Sequence, residues 1–268
     1  MLWEDLFADR FSASISDSKG VCILPVGCLE KHGDHLPLGT DMFIGRAVSA
    51  KAAEMETAVV FPYYFFGQIA EARHVPGTIA ASHRLLMDTI LEMCDEIHRN
   101  GFKKIILYSC HGGNWHFLPF FAQQMPSLDR SYNVYVYSVM NMKEEQTKTI
   151  CKLAGTGDLG RHAGIAETSL IMYIRPDLVR METVDTSQSK SLERLAQLQE
   201  KGVNTGFNWY SEYPWHFAGD PTGASAELGK TIFDMSCENL IEVIRAVKAD
   251  DISEKLIREF ALAGRNPQ

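Results

Sequence analysis

The chain has 268 residues, 46% hydrophobic and 22% charged, the make-up of an ordinary soluble globular protein. Its 26 Lys and Arg against 34 Asp and Glu give a formal charge of -8. That balance argues against the basic patch of a duplex-binding surface, so no nucleic-acid partner is expected.

From the N-terminus, MLWEDLFADR carries acids where a signal peptide would carry basic residues, and no apolar segment follows. No run approaches the roughly 20 apolar residues of a membrane span, so a cytoplasmic protein without a membrane partner is expected. The six cysteines are scattered and form no CxxC pair, which suits reduced thiols rather than a disulfide framework. VCILPV, Val21–Val26, is short, apolar and partly β-branched, and predicts a buried strand. A loop with Gly27, Gly33, Pro37 and Gly39 follows, and Asp41 stands at or near the N-cap of a helix over 41–56. A second strand is predicted over 58–66, an ordered loop containing HVPGT over 67–82, and an amphipathic helix over 84–99. The clearest strand, 103–109, runs into HGGN and another helix, and a fourth strand covers 133–139. AETSLIMYI predicts a helix ending at Arg175, before Pro176. A short exposed helix over 191–201, an aromatic ordered loop over 202–224 and one long C-terminal helix complete the chain. Strands alternating with helices imply a mainly parallel sheet in an α/β fold. With no repeat or linker, a single domain over 1–268 is expected.

In open parallel sheets ligands bind at the carboxyl ends of strands. The two most polar strand exits here are Glu30-Lys31-His32-Gly33-Asp34-His35 and His111-Gly112-Gly113-Asn114. Glu30 and His32 lie two apart, so in an extended segment they point to the same side. Asp41 follows after a loop long enough to fold back on them. Together with a strand-end His and a later Glu, these residues supply five candidate metal ligands, with one carboxylate available to be shared. Two divalent ions against three carboxylates leave excess positive charge, which lowers the pKa of a bridging water and polarises a substrate carbonyl. From residue types alone, a metal site and ordinary hydrogen-bonded polar residues stand about even.

LPVGCLEKHGDHLPLGTD (24–41) closely resembles the opening signature of the creatininase, or creatinine amidohydrolase, family. HVPGT (74–78), SCHGGN (109–114), HAGIAETSL (162–170) and GDPTGASAELG (219–229) resemble later family motifs, in the family's order and over most of the chain. The resemblance implies a three-layer α/β/α sandwich with a mainly parallel central sheet, a two-metal centre and a homo-oligomer with a tendency to assemble as a hexamer. By motif position, Asp41 would bridge the ions, Glu30 and His111 would complete one site, and His32 and Glu167 the other. Mixed carboxylate and imidazole ligands suit zinc or manganese, with iron also open. His162 matches the family's active-site histidine, suited to carrying a proton to a leaving nitrogen. His74 matches a substrate contact or a loop brace, and Trp115, Trp209, Trp215, His216 and Phe217 are candidates for a pocket wall or a subunit contact. His35 is expected to line the loop, and Lys31 and Asp34 to be solvated or to stand behind the ligands.

One departure shapes the substrate reading. Creatininase carries a liganding glutamate where this chain has Gly113, so the second site must recruit Glu167, and the pocket is expected to open at Gly113. The implied activity is hydrolysis of a small polar amide, cyclic or N-formyl, with creatinine itself a poor substrate. A carbon–carbon hydrolase opening a cyclic polyol ketone such as an inosose is the alternative. Outside metal chemistry, Cys110 beside His111 offers a thiol nucleophile, although no G-x-[SC]-x-G elbow is present. A phosphate-binding module built on HGGN would lack both Gly-rich signatures of such loops.

Overall fold

The structure, a computed structural model, describes residues 1–265. Four strands, β1 (Val21–Val26), β2 (Val59–Val60), β3 (Lys104–Ser109) and β4 (Asn133–Ser138), form one parallel sheet in the order β2-β1-β3-β4. Ten α-helices pack around it among the described residues: α1 (Phe11–Asp17), α2 (Thr40–Met55), α3 (His83–Arg99), α4 (Asn114–Gln124), α5 (Glu144–Ala154), α6 (Ile165–Ile174), α7 (Ala196–Gln199), α8 (Asn208–Glu212), α9 (Ala226–Ala249) and α10 (Ile252–Arg265). None of these is long and apolar enough to cross a membrane.

Both faces of the sheet are covered, which is why β1 reads as a continuous apolar run rather than an alternating one. Val21, Ile23, Val60, Ile106 and Tyr108 pack on Ile44 and Val48 of α2, Ile171 of α6 and Leu240 and Ile244 of α9. Cys22, Leu24, Ile105 and Leu107 face the other way, against Ile90 of α3 and Leu118 and Phe121 of α4. Each fully buried aliphatic side chain contributes roughly 1.5–3 kcal/mol, and the two apolar layers give the expected α/β/α sandwich. α9 approaches α6 closely: a Cβ added at Gly229 would lie 1.8 Å from the Ser169 carbonyl oxygen.

The register positions the site. Val21 pairs with Lys104 and Val26 with Ser109, so β1 and β3 end flush and their exit loops leave side by side. The chain passes from β1 to β2 on one side and returns to β3 on the other, which makes this the topological switch point where open α/β sheets bind ligands.

Several elements depart from expectation. Only Val59–Val60 of the predicted 58–66 strand is regular: Pro62 has no N–H to give to a ladder, and the chain rejoins β1 only at the isolated Val26–Tyr64 bridge. α2 is capped by Gly39, and Asp41 lies in its first turn, near the cap as expected. Helices α1 and α5 were not foreseen, the helix predicted over 191–201 is confined to α7, and α8 interrupts the predicted loop. The C-terminal helix is two helices. Lys104 Nζ takes the carbonyls of Val247, Lys248 and Asp250, closing α9, while the Asp250 carboxylate accepts from the amides of Ile252 and Ser253 and opens α10.

Candidate metal centre

Three parts of the chain converge at the ends of β1 and β3. The β1 exit turns back on itself through a Glu30 amide to Leu38 carbonyl bond of 3.1 Å and an isolated His32–Leu36 bridge, which presents Glu30 and His32 inward. The β3 exit is clamped by Asn114, whose side-chain amide donates to the Val26 carbonyl (3.0 Å) and accepts from the Gln68 amide (3.0 Å). The loop before α6 pairs with the loop before α9 through His162 and Ala218. Glu167 lies in the first turn of α6, where the helix dipole favours a carboxylate.

Glu30, His32, Asp41 and His111 are each at most 6% exposed, and the Glu167 side chain is 30% exposed. Asp41 divides its two oxygens. Oδ2 lies 3.1 Å from His111 Nδ1, whose other close neighbour is Glu30 Oε1 at 2.6 Å. Oδ1 lies 3.2 Å from His32 Nε2, which stands 3.9 Å from Glu167 Oε2. The five residues predicted from sequence are therefore brought together as two triads that share Asp41. Candidate ligand atoms in each triad, with Cys28 beside the first, lie within 4.8 Å of one another. A third such group joins Glu30 and His32 to His162.

The far nitrogens of the two rings fix their tautomers. His111 Nε2 donates to the Gln68 carbonyl at 2.7 Å, and His32 Nδ1 donates to the Glu30 carbonyl at 3.3 Å. Each ring thereby turns a lone pair toward carboxylate oxygens, and Glu30 Oε1 is buried with no hydrogen-bond partner among the described residues. Lone pair against lone pair at these distances calls for a cation or a proton between them. Without a cation the protons are drawn in. Burial opposes charging His32, yet Asp41, Glu167 and Glu30 raise it to about 10. Burial opposes His111 as well, but Cys28, Glu30 and Asp41 raise it well above the ordinary histidine value. Burial would lift the acids of Glu30 and Asp41, and the facing imidazoles instead hold both below the usual carboxylate range. Three carboxylates and two imidazoles with this orientation fit two divalent ions.

His162 stands beside the triads. Its ring centroid is 4.2 Å from that of His32, and its Nε2 donates to the Lys31 carbonyl at 2.7 Å and lies 3.9 Å from Glu30 Oε2. Burial first, then His32, pushes it down to about 4. His35 is buried away from the triads, with its Nε2 3.1 Å from the Thr168 hydroxyl.

Other sequence candidates fall elsewhere. His74 is exposed and donates to the Pro214 carbonyl at 2.7 Å, a brace for the 214 loop. Trp115 and Trp215 are 57% and 42% exposed, and the ring contacts of the centre among the described residues involve neither. Trp209 does, standing edge-on to His162. His216, read from sequence only as pocket wall or subunit contact, reaches the Glu30 carboxylate. Cys110 points its thiol at Gly45, and burial raises that thiol well above its ordinary value, which disfavours the thiolate that a nucleophile needs. The space expected at Gly113 is filled. A Cβ there would meet His111 Nε2 at 2.4 Å, the Gln68 carbonyl oxygen at 2.5 Å and Glu71 Oε1 at 3.1 Å.

A family model described as Creatininase: Creatinine amidohydrolase matches residues 5–244. The chain belongs to the creatininase family. It is 28% identical over 194 residues to the creatinine amidohydrolase of Pseudomonas putida, covering 65% of this chain and 72% of that one. The mycofactocin precursor peptide peptidase of Mycolicibacterium smegmatis is 28% identical over 217 residues (79% and 78% covered). The 3-dehydro-scyllo-inosose hydrolase of Thermotoga maritima is 24% identical over 250 residues (84% and 76%). Among solved structures, a mutant creatininase of Zn-Zn type superposes with a TM-score of 0.77 at 23% identity, covering 93% of this chain and 98% of that one. That likeness establishes the creatininase fold.

Proposed function

We propose that this creatininase-family chain is a two-metal hydrolase that cleaves the C–N bond of a small polar amide, cyclic or N-formyl. The observation that carries the reading is the split of Asp41, with one oxygen turned to His111 and Glu30 and the other to His32 and Glu167. In this reading Glu30, Asp41 and His111 hold one divalent ion, and His32, Asp41 and Glu167 hold the other, zinc or manganese by the donor chemistry. When bound, two such ions supply Lewis acidity, acidifying a water and polarising the substrate carbonyl. Zn-Zn and manganese creatininases of the same fold are in keeping with this.

The protein's own groups do the rest. The Gln68 and Glu30 carbonyls keep His111 and His32 in the tautomers that face the carboxylates. His162, neutral and with its Nε2 proton held by the Lys31 carbonyl, takes the proton of the attacking water at its unprotonated Nδ1 and passes it to the departing nitrogen. Trp209, edge-on to His162, helps to keep water from the ring. Creatinine itself is a poor substrate in this reading, because residue 113 offers no carboxylate and its space is taken by the 68–71 segment. The chain works as a homo-oligomer on a small molecule in the cytoplasm.

The test is a panel of creatinine, a hydantoin-like cyclic amide, a formylated amine and an inosose-type ketone, assayed with chelated and with zinc- or manganese-reloaded protein. An amide should be hydrolysed only by reloaded protein, with creatinine at least 10³-fold lower in kcat/KM, about 4 kcal/mol of transition-state stabilisation. Creatinine as the best substrate would refute the substrate assignment. The Thermotoga maritima inosose hydrolase supports one second reading, in which a ring ketone is the electrophile and a carbon–carbon bond breaks. A ketone outrunning every amide would select it.

A further inference from the structure

Glu30 presents its two oxygens to different surroundings. Oε1 faces His111 Nδ1 and lacks a hydrogen-bond partner among the described residues, whereas Oε2 is held by His216 Nε2 in a short hydrogen bond. On the far side of the same ring, Trp209 Nε1 donates to His216 Nδ1 at 2.9 Å. An indole N–H can only donate, so Nδ1 accepts and the ring's proton sits on Nε2, aimed at Glu30. His216 is 2% exposed, with the His162 ring at 4.6 Å. Its backbone has φ +53°, in the left-handed region that residues other than glycine rarely adopt. Strain of this kind persists where the surrounding structure enforces it, and it clusters at working sites.

We propose that Trp209 and His216 form a positioning device for Glu30, fixing Oε2 so that Oε1 alone is offered to the cation of the Glu30, Asp41 and His111 triad. The inference rests on the two-metal reading above. A ligand carboxylate free to rotate would lose orientation each time its cation left. One held by an imidazole of defined tautomer keeps the triad ready. Among the described residues no hydrogen bond, ion pair or ring contact joins Trp209 or His216 to the second triad of His32, Asp41 and Glu167, so the effect should be confined to one of the two cations.

The experiment measures zinc affinity at both sites of the full-length protein by competition with a chromophoric chelator. The variants are His216→Asn, His216→Gln and Trp209→Phe, and the melting temperature of each metal-free variant is recorded. Asn tolerates the left-handed backbone but is too short to reach Glu30, so one cation should bind about 10–100-fold more weakly and the other unchanged. His216→Gln, whose amide can donate to Oε2, should restore most of the loss. Trp209→Phe keeps an aromatic ring but frees the tautomer, and should show a smaller loss at the same site. Unchanged affinities in His216→Asn, with two zinc ions bound by the wild type, would overturn the inference and leave the two-metal reading standing. Equal weakening of both sites, without rescue by Gln, would mean that His216 serves the fold and not Glu30. A wild type that binds no zinc would remove the two-metal reading and this inference together.

Discussion

Gly113→Ala probes how tightly the β3 exit is built. The added methyl would sit 2.4 Å from His111 Nε2 and 2.5 Å from the Gln68 carbonyl oxygen, both well inside van der Waals contact. The two atoms are hydrogen-bonded to each other at 2.7 Å, so neither can yield without breaking that bond. Overpacking of this kind costs about 1–3 kcal/mol, and the lost hydrogen bond adds about 1 kcal/mol. At roughly 2–4 °C per kcal/mol for a large domain, the metal-free variant should melt about 5–15 °C below the wild type. Because the Gln68 carbonyl also fixes the His111 tautomer, affinity for the cation at His111 should fall about 10–100-fold. Thermal unfolding followed by circular dichroism, with zinc competition on the same samples, checks both. A variant with the wild-type melting temperature and zinc affinity would show that residue 113 has room. That result would restore the open pocket expected from the sequence.

Three further outcomes are expected. His162→Ala should keep its metals and melt within a few degrees of wild type while turnover falls about 10²–10⁴-fold; if metal is lost instead, His162 is a ligand. Gly229→Ala forces a methyl against the Ser169 carbonyl oxygen, so α9 must lift from α6 at about 3 kcal/mol; a denaturation midpoint equal to wild type would contradict that packing. His35 is pushed down to about 4 by burial, so between that value and the ordinary 6.5 the unfolded chain binds more protons and stability falls as pH falls. His35→Gln should reduce this acid slope, leaving the share of His162, which is depressed likewise, and parallel wild-type and variant curves across that window would refute it.

The strand exits were legible because their polarity interrupts apolar runs, and Glu30, His32 and His111 lie within a few residues of β1 or β3, while Asp41 follows in the first turn of α2. Glu167 could be placed only through the family motif, since nothing local to α6 reports that its first turn meets His32 in the loop after β1. His216 was marked only by its aromatic loop, and nothing local signalled its contact with Glu30. It is 186 residues from Glu30, and its backbone conformation is set by the loops that zip together at His162 and Ala218. The Gly113 neighbourhood was misread for the same reason: deleting a side chain makes room only if no other segment moves in, and the 68–71 segment does. Local chemistry misled at β2, where AVVFPYYFF is apolar throughout but Pro62 ends the ladder, and at the C-terminus, where Lys104 and Asp250 divide a continuous helical pattern.

The claim that two cations share Asp41 is tested most directly by counting metals in purified wild-type and Asp41→Ala proteins by mass spectrometry after identical zinc loading and desalting. The account predicts about two ions per wild-type chain, as for a two-metal hydrolytic site, and close to none in Asp41→Ala, because each triad loses a ligand at once. Full occupancy in Asp41→Ala would contradict it.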